Sequence, residues 1–523
     1  MGLVGKRDVM SALERKTKIK ELVELGGQLS RGSRTQENKD GKSKSKLRSE
    51  SLFSASLAEE VYSFDSFQLS SYSQDLWPRK LLELRENGPL SVDEYPVDMV
   101  IWPRTVEEVS AICEWANRVN VSLFPYGAGS GVCGGTIPPD WESRPRVIVD
   151  LKKMRKIREL DEISQTVWAE AGWIGENLER ELNSQGYTLG HFPSSIYCSS
   201  LGGYLASRSA GQLSTKYGKI EDMVLSLEIV LPSGEVITTG RAPRSAMGPD
   251  WTQLLLGSEG TLGFLTAACL QIHRFDDIKR VFAGWSAKGI DQAIDFSRAA
   301  IQRGLRPSVF RIYDPLETSM ALNSKVLKDS GFKSGAAIVT VFEESSQRLM
   351  EAQEQELRQI ASEMEIEWLG PSIGEHWWQH RYDVSYKQQL ILSHDHMILD
   401  TFEIAASWKN LNEVYRAVKS VSVGFGMIMA HLSHFYHTGA NIYFTLVAHS
   451  AGKENSVSHY DEVWNKILAA ALEAGATLSH HHGVGLQKSE WMRKEKKSFI
   501  SIFEKVKNGF DPENRFNPGK MGL

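Results

Sequence analysis

The stretch PYGAGSGVCGG, residues 125–135, carries five glycines within nine residues and lies between two apolar strand-like runs, VSLFP and RVIVDL. Glycine tolerates positive φ and leaves successive backbone N–H groups uncovered, so such a loop forms a nest for an anion such as a pyrophosphate. Gly129, Gly131 and Gly134 make a formal G-x-G-x-x-G, but a Rossmann fingerprint also needs a helix opening directly behind it. Here Thr136 leads into Pro138-Pro139 and then a strand. The loop therefore argues for phosphate held by backbone and against a nicotinamide Rossmann domain. Two further runs of small residues, GHFPSSIYCSSLGGYLASRSAGQ (190–212) and LLLGSEGTLGFLT (254–266), suit a long dinucleotide that backbone must approach closely.

At 523 residues the chain is too long for one hydrophobic core, which sets an expectation of two or three domains. Residues 1–50 read as a helical pattern followed by the polar tether RGSRTQENKDGKSKSKLRSE, and 51–94 as a helical lead-in. Residues 95–275 alternate strand and helix; TVEEVSAICEWANRVN is a helix with a capping box from Thr105 to Glu108. Residues 280–470 form a second unit with strands RVFAGWSA, SVFRIYD, AAIVTVFEES and NIYFTLVAH, read as an antiparallel sheet with helices on one face. Residues 471–523 are helical and end in a turn-rich tail.

A net charge of −5 argues against nucleic acid as partner. No apolar run is long enough to span a bilayer, MGLVGKRDVM lacks the apolar core of a signal peptide, and the final KMGL is not a peroxisomal tripeptide. The expectation is a cytoplasmic protein. Cys113, Cys133, Cys198 and Cys269 form no CxxC, so neither a zinc knuckle nor a dithiol pair is indicated.

The triplet His480, His481 and His482 in TLSHHHGVG raises two readings. Zinc wants three or four converging ligands, and no Cys, Asp or Glu cluster lies near, although His434 is available at a distance. An active-site turn needs only that the imidazoles face a substrate. If the segment is extended, His480 and His482 share a face and His481 opposes them. We expect no metal.

The order PYGAGSG, PSSIYCSSLGG, GSEGTLG resembles the FAD-binding domain of the vanillyl-alcohol oxidase superfamily. That resemblance implies an α+β fold: a two-subdomain FAD-binding domain and a cap of antiparallel sheet plus helices. It places the cofactor on Pro125, Tyr126, Gly127, Ala128, Gly129, Ser130 and Gly131. The second segment supplies Pro193, Ser194, Ser195, Ile196, Tyr197, Cys198 and Ser199, then Ala206, Ser207, Arg208 and Ser209. The third supplies Gly257, Ser258, Glu259, Gly260, Thr261, Leu262 and Gly263. Covalent members carry a histidine beside the first loop; Tyr126 stands here, which implies non-covalent FAD, with Cys198 the remaining candidate for a thioether.

GPD (248–250), HLSHFYHTGANIYFT (431–445), SHHHGVG (479–485) and DPENRFNPGK (511–520) narrow the match to the alkylglycerone-phosphate synthase (alkyl-dihydroxyacetone-phosphate synthase) family, from about residue 75 onward. That family exchanges the acyl group of an acyl-dihydroxyacetone phosphate for a fatty alcohol, forming an ether-lipid precursor without net redox change. The resemblance makes Tyr443 the catalytic tyrosine, matches the histidine triplet, and assigns site positions to Arg311 and His191. The family's active-site arginine precedes its FET stretch; here SYKQQLILSHDHMILDTFE offers Lys387 or Gln388 for the substrate phosphate. For Tyr443 to act as a base near neutrality it needs positive charge beside it, which the histidines are expected to supply. Two fatty substrates imply peripheral contact with a membrane, and a homodimer stays open. The alternative is an FAD-linked oxidase or dehydrogenase of a 2-hydroxy acid such as lactate or glycolate, but such relatives show G-D-G-N-x-H where this chain has YHTGANIY.

Overall fold

A computed structural model describes residues 61–88, 96–240, 244–276, 278–322, 324–383, 397–449 and 455–523. The expected N-terminal helix and tether of residues 1–50 lie outside the described residues, as do Lys387 and Gln388.

The first glycine loop leaves a small sheet ordered Tyr62–Ser63, Met99–Ile101, Arg146–Asp150, Ser122–Tyr126, parallel except for its first pair. The Val106–Val119 helix packs on it through Val109, Ile112, Cys113 and Ala116. Thr105 caps that helix by accepting the Glu108 N–H, while the Glu108 carboxylate reaches back to the Arg104 N–H, one residue beyond the box the sequence suggests. A second, antiparallel sheet follows in the order Ile157–Asp161, Thr166–Glu170, Phe264–Gln271, Val224–Val230, Val236–Thr238. The tail returns to the first sheet: Leu123 N–H donates to Arg515 and Asn517 N–H to the Leu123 carbonyl.

The cap is a seven-stranded antiparallel sheet ordered Glu367–Trp368, Lys279–Ala287, Ala336–Glu344, Val309–Tyr313, Gly426–Tyr436, Gly439–His449, Met397–Ser407. Helices Ile290–Gln302, Gln347–Glu363, Trp408–Val421 and Ser456–Glu473 bury its outer face in one apolar cluster. The expectation of helices on one face needs correction. Shorter helices at Pro315–Ala321, Ser324–Asp329 and Ser372–His380 cover part of the inner face around Tyr313, Val339, Val341 and Trp377. The remainder of that inner face looks toward the glycine loops.

Candidate active site

The three small-residue loops meet, and glycine is required where they touch. A Cβ on Gly127 would lie 2.1 Å from Ser200 Oγ, and one on Gly260 would lie 2.2 Å from Pro125. Ser200 caps the Leu201–Ser207 helix through the Gly203 N–H at 3.2 Å. Ser130 and Ser199 hydroxyls are 2.9 Å apart, and Ser199 bonds Ser195 at 2.6 Å. Gly257 and Glu259 N–H groups donate to Leu205 and Ala206 carbonyls at 3.0 and 3.1 Å. Arg208, in the left-handed region at φ 54°, turns its guanidinium back onto the Gln253 and Leu256 carbonyls. Ile196, Thr261 and Leu262 are buried, Ser209 faces His191, and Tyr197 is exposed beside Tyr382.

Two observations test whether this cradle fits a flavin dinucleotide. The N–H groups of Ala128, Gly129, Ser130 and Gly131 have no acceptor among the described residues. The buried Ser258 hydroxyl has none either. Free backbone donors in one glycine loop and a free buried hydroxyl in another are groups that a pyrophosphate can satisfy. Cys198 is half-buried, and burial pushes its thiol up, away from the reactive thiolate.

The histidine turn crosses this cradle. Residues 479–485 are bent, not extended. Glu403, fully buried on the Met397–Ser407 strand, accepts the His480 N–H and, at 2.7 Å, the His482 N–H. Glu259 accepts the Val484 N–H and, at 2.9 Å, the Gly485 N–H. One carboxylate from the cap and one from the third glycine loop thus hold successive halves of the turn. Glu259, expected to contact cofactor, spends its carboxylate here. Burial would raise the Glu403 carboxyl, but Lys488 at 3.4 Å, His482 and the two N–H groups outweigh it and hold it below the usual range. Burial leaves Glu259 raised.

Strand register builds the rest. His431, Tyr443 and Glu403 lie opposite one another on three neighbouring strands and so share the inner face. The alternation expected around Tyr443 holds, with Ile442 and Phe444 in the outer core. The Tyr443 ring stacks on His431 at 4.7 Å, lies nearly parallel to His481 at 6.2 Å, and meets His482 edge-on at 5.5 Å. His431 Nδ1 is 2.8 Å from Glu317 Oε1 and its Nε2 is 2.8 Å from Arg311 Nη2. A guanidinium only donates, so Nε2 accepts and Nδ1–H donates to Glu317, fixing the neutral tautomer. Arg311 Nε is buried with no partner among the described residues.

The extended-triplet expectation fails in detail. His481 and His482 flank Tyr443, while His480 turns to Tyr436, whose hydroxyl is 2.7 Å from its Nε2. His480 Nδ1 and His481 Nδ1 are 2.8 Å apart, and His434 packs 5.3 and 5.1 Å from the two rings. His191 is buried at 3.2 Å from Ser209 and 4.8 Å from the Tyr204 ring, and it makes no ring contact with the triplet, although its charge would bear on His434. Among the described residues no three His, Cys, Asp or Glu side chains are arranged to hold a metal ion.

The expected charge on the histidines is also corrected. Burial holds His482 down at about 4, His191 at about 3, and His434, His480 and His481 well below the ordinary value. All five are neutral at pH 7. Burial pushes Tyr443 up to about 12, with Asp400 and Glu403 adding to it against Thr401 and Arg311. Tyr443 therefore stands as a protonated phenol among neutral imidazoles.

The fold and cradle define a class, and the comparisons agree. Residues 97–240 match the FAD binding domain model and 278–521 the FAD linked oxidases C-terminal domain model. This is an FAD-dependent enzyme of the FAD-linked oxidase type. The chain is 30% identical over 450 residues to an alkyldihydroxyacetonephosphate synthase of Dictyostelium discoideum, covering 81% of this chain and 73% of that one. A solved alkyldihydroxyacetonephosphate synthase superposes with a TM-score of 0.73 at 25% identity, covering 89% of this chain and 83% of that one. The chain belongs to the alkyldihydroxyacetonephosphate synthase family. A more distant match is the glycolate oxidase subunit of Bacillus subtilis, 26% identical over 427 residues, 81% of this chain and 88% of that one.

Glu317, His431, Glu403, Tyr436 and Lys488 are absent from the sequence-based set. Glu403 had a signal: in MILDTFEIAAS it and Asp400 interrupt an apolar run, and a charge inside a buried strand must be paired.

Proposed function

We propose that this enzyme exchanges the acyl group of an acyl-dihydroxyacetone phosphate for a long-chain fatty alcohol, giving an ether-lipid precursor with no net redox change. One observation carries the reading: a protonated tyrosine between neutral imidazoles on the cap face that looks toward the cofactor loops. FAD, when bound, supplies the electrophilic oxidised ring system against which the carbon's substituent is exchanged. The free N–H groups of residues 128–131 and the Ser258 hydroxyl would hold its phosphates, and the binding would be non-covalent, since no histidine stands at Tyr126 and burial pushes the Cys198 thiol up.

The chain's own residues handle protons and position. Tyr443 donates a hydrogen bond from its O–H to the oxygen that leaves as carboxylate, keeping its own proton, and His481 and His482, neutral, accept protons beside it. His431, locked by Glu317 and Arg311, holds the Tyr443 ring against drift. Arg311 keeps an uncommitted Nε for an anionic group. Both substrates carry long chains, and among the described residues no helix is long and apolar enough to cross a membrane, which supports peripheral docking.

The test supplies acyl-dihydroxyacetone phosphate and hexadecanol to the FAD-loaded protein. Ether product should equal fatty acid released; release of acid without ether makes it a hydrolase and ends this reading. The similarity to a glycolate oxidase subunit favours a second reading, oxidation of a 2-hydroxy acid. Bleaching of the flavin by lactate or glycolate would select it.

A further inference from the structure

In the exchange proposed above, the alcohol arrives as R–OH and the acid leaves as a carboxylate. The carbon–oxygen bond to the acyloxy group breaks, a bond to the alcohol oxygen forms, and one proton is left over. That proton must leave the partly buried group of imidazoles and phenol around Tyr443 while substrate fills the site.

One route exists in the hydrogen bonds. Tyr436 ends the Gly426–Tyr436 strand and is half-buried. Its hydroxyl meets His480 Nε2 at 2.7 Å, and His480 Nδ1 meets His481 Nδ1 at 2.8 Å. His480 is held on both sides of its backbone, its N–H by Glu403 and its carbonyl by Lys219 Nζ at 2.6 Å. His481 lies over the Tyr443 ring. A neutral imidazole offers one donor and one acceptor, so the chain points one way or the other as a unit.

We propose that Tyr436, His480 and His481 form a relay that carries the alcohol's proton from the reacting centre to solvent; the proposal rests on the exchange reading. Before turnover His481 Nδ1–H donates to His480 Nδ1, His480 Nε2–H donates to the Tyr436 oxygen, and His481 Nε2 is open toward the substrate. As His481 Nε2 takes the alcohol proton, its Nδ1 proton passes to His480. The His480 Nε2 proton passes to Tyr436, and the Tyr436 proton passes to water. No atom gains lasting charge. After product leaves, water removes the Nε2 proton of His481 and returns one at Tyr436, restoring the first arrangement. The charge state of the rings agrees with this design. Burial, Lys219 and neighbouring histidines keep His480 and His481 from storing a proton, so one that arrives has to move on. Tyr436 has no such role in a merely structural account, where it would be a strand-end phenol packed on an imidazole.

Tyr436→Phe, prepared with FAD bound, tests the relay. The expected result is a fall in kcat of about tenfold or more with KM unchanged, and partial recovery on adding imidazole as a small proton carrier. The unmodified enzyme should also give a curved rate plot in mixed light and heavy water, because several protons move together. A kcat within about twofold of the unmodified enzyme, or a loss that imidazole does not repair, overturns the relay. If Tyr436→Phe does not retain FAD, the heavy-water plot decides alone: curvature supports the relay, a straight line overturns it. An unmodified enzyme that makes no ether overturns the exchange reading instead, and the relay with it.

Discussion

Tyr443 shows how far a single residue can be read ahead of its structure. Its strand, its face and its neighbours in sequence were legible, and so were the triplet and Arg311. The charge state was not. It depends on burial by the cap and on Lys219, Lys488 and Glu403, which arrive from distant segments. With neutral histidines beside it, Tyr443 is a protonated phenol that can donate a hydrogen bond, not the base the sequence suggests. Tyr443→Phe removes one hydroxyl and keeps the ring between His431 and His481, so FAD content should be unchanged. The exchange rate should fall by roughly 100-fold or more. Steady-state kinetics with the bound flavin counted by absorbance checks both, and a variant with more than a tenth of normal activity would move the proton role elsewhere.

At the scale of elements, the strands with clean alternation were legible, and two of the three that build the site were not. Gly426–Tyr436 carries a bulge between Ser433 and Phe435, where His434 adopts φ 55°, so its period breaks in mid-run. Met397–Ser407 hides behind its buried acids. The histidine turn was legible as a motif but not as a bend, because its shape is set by two carboxylates 144 residues apart in sequence, Glu259 and Glu403. Glu403→Gln keeps the shape, removes the charge that Lys488 pairs with, and turns one acceptor into a donor facing N–H groups. Breaking a buried pair of this kind costs about 3–5 kcal/mol. Chemical denaturation should register that loss, and unchanged stability would show that the turn is held by packing instead.

For the whole molecule, the architecture was legible from loop order, while the helices on the inner cap face were not, since amphipathic helices do not name the face they cover. The buried histidines have a global consequence. In His191, His434, His480, His481 and His482 the folded pKa lies below the unfolded value of about 6.5, so below that pH the unfolded chain binds more protons and stability falls as pH falls. Each contributes a slope of up to about 1.4 kcal/mol per pH unit. Carboxyls raised by burial oppose this, Asp75 and Asp400 to about 6 and also Asp150, Glu179 and Glu259, but they are five against seven histidines once His273 and His431 are counted. Calorimetry should show Tm dropping from pH 7 to pH 5, and a flat or rising Tm would contradict the neutral cluster. Peripheral docking predicts that high salt or mild detergent frees the protein from vesicles; release only on dissolving the bilayer would contradict it.

The central claim is a flavin enzyme that exchanges groups without net oxidation. It is tested most directly in an oxygen electrode, with acyl-dihydroxyacetone phosphate and fatty alcohol both at saturation and ether product sampled over many turnovers. The account predicts ether accumulating with no oxygen uptake, no hydrogen peroxide, and the same rate after oxygen is removed. Oxygen consumed or peroxide formed in step with turnover would contradict it and make the enzyme an oxidase.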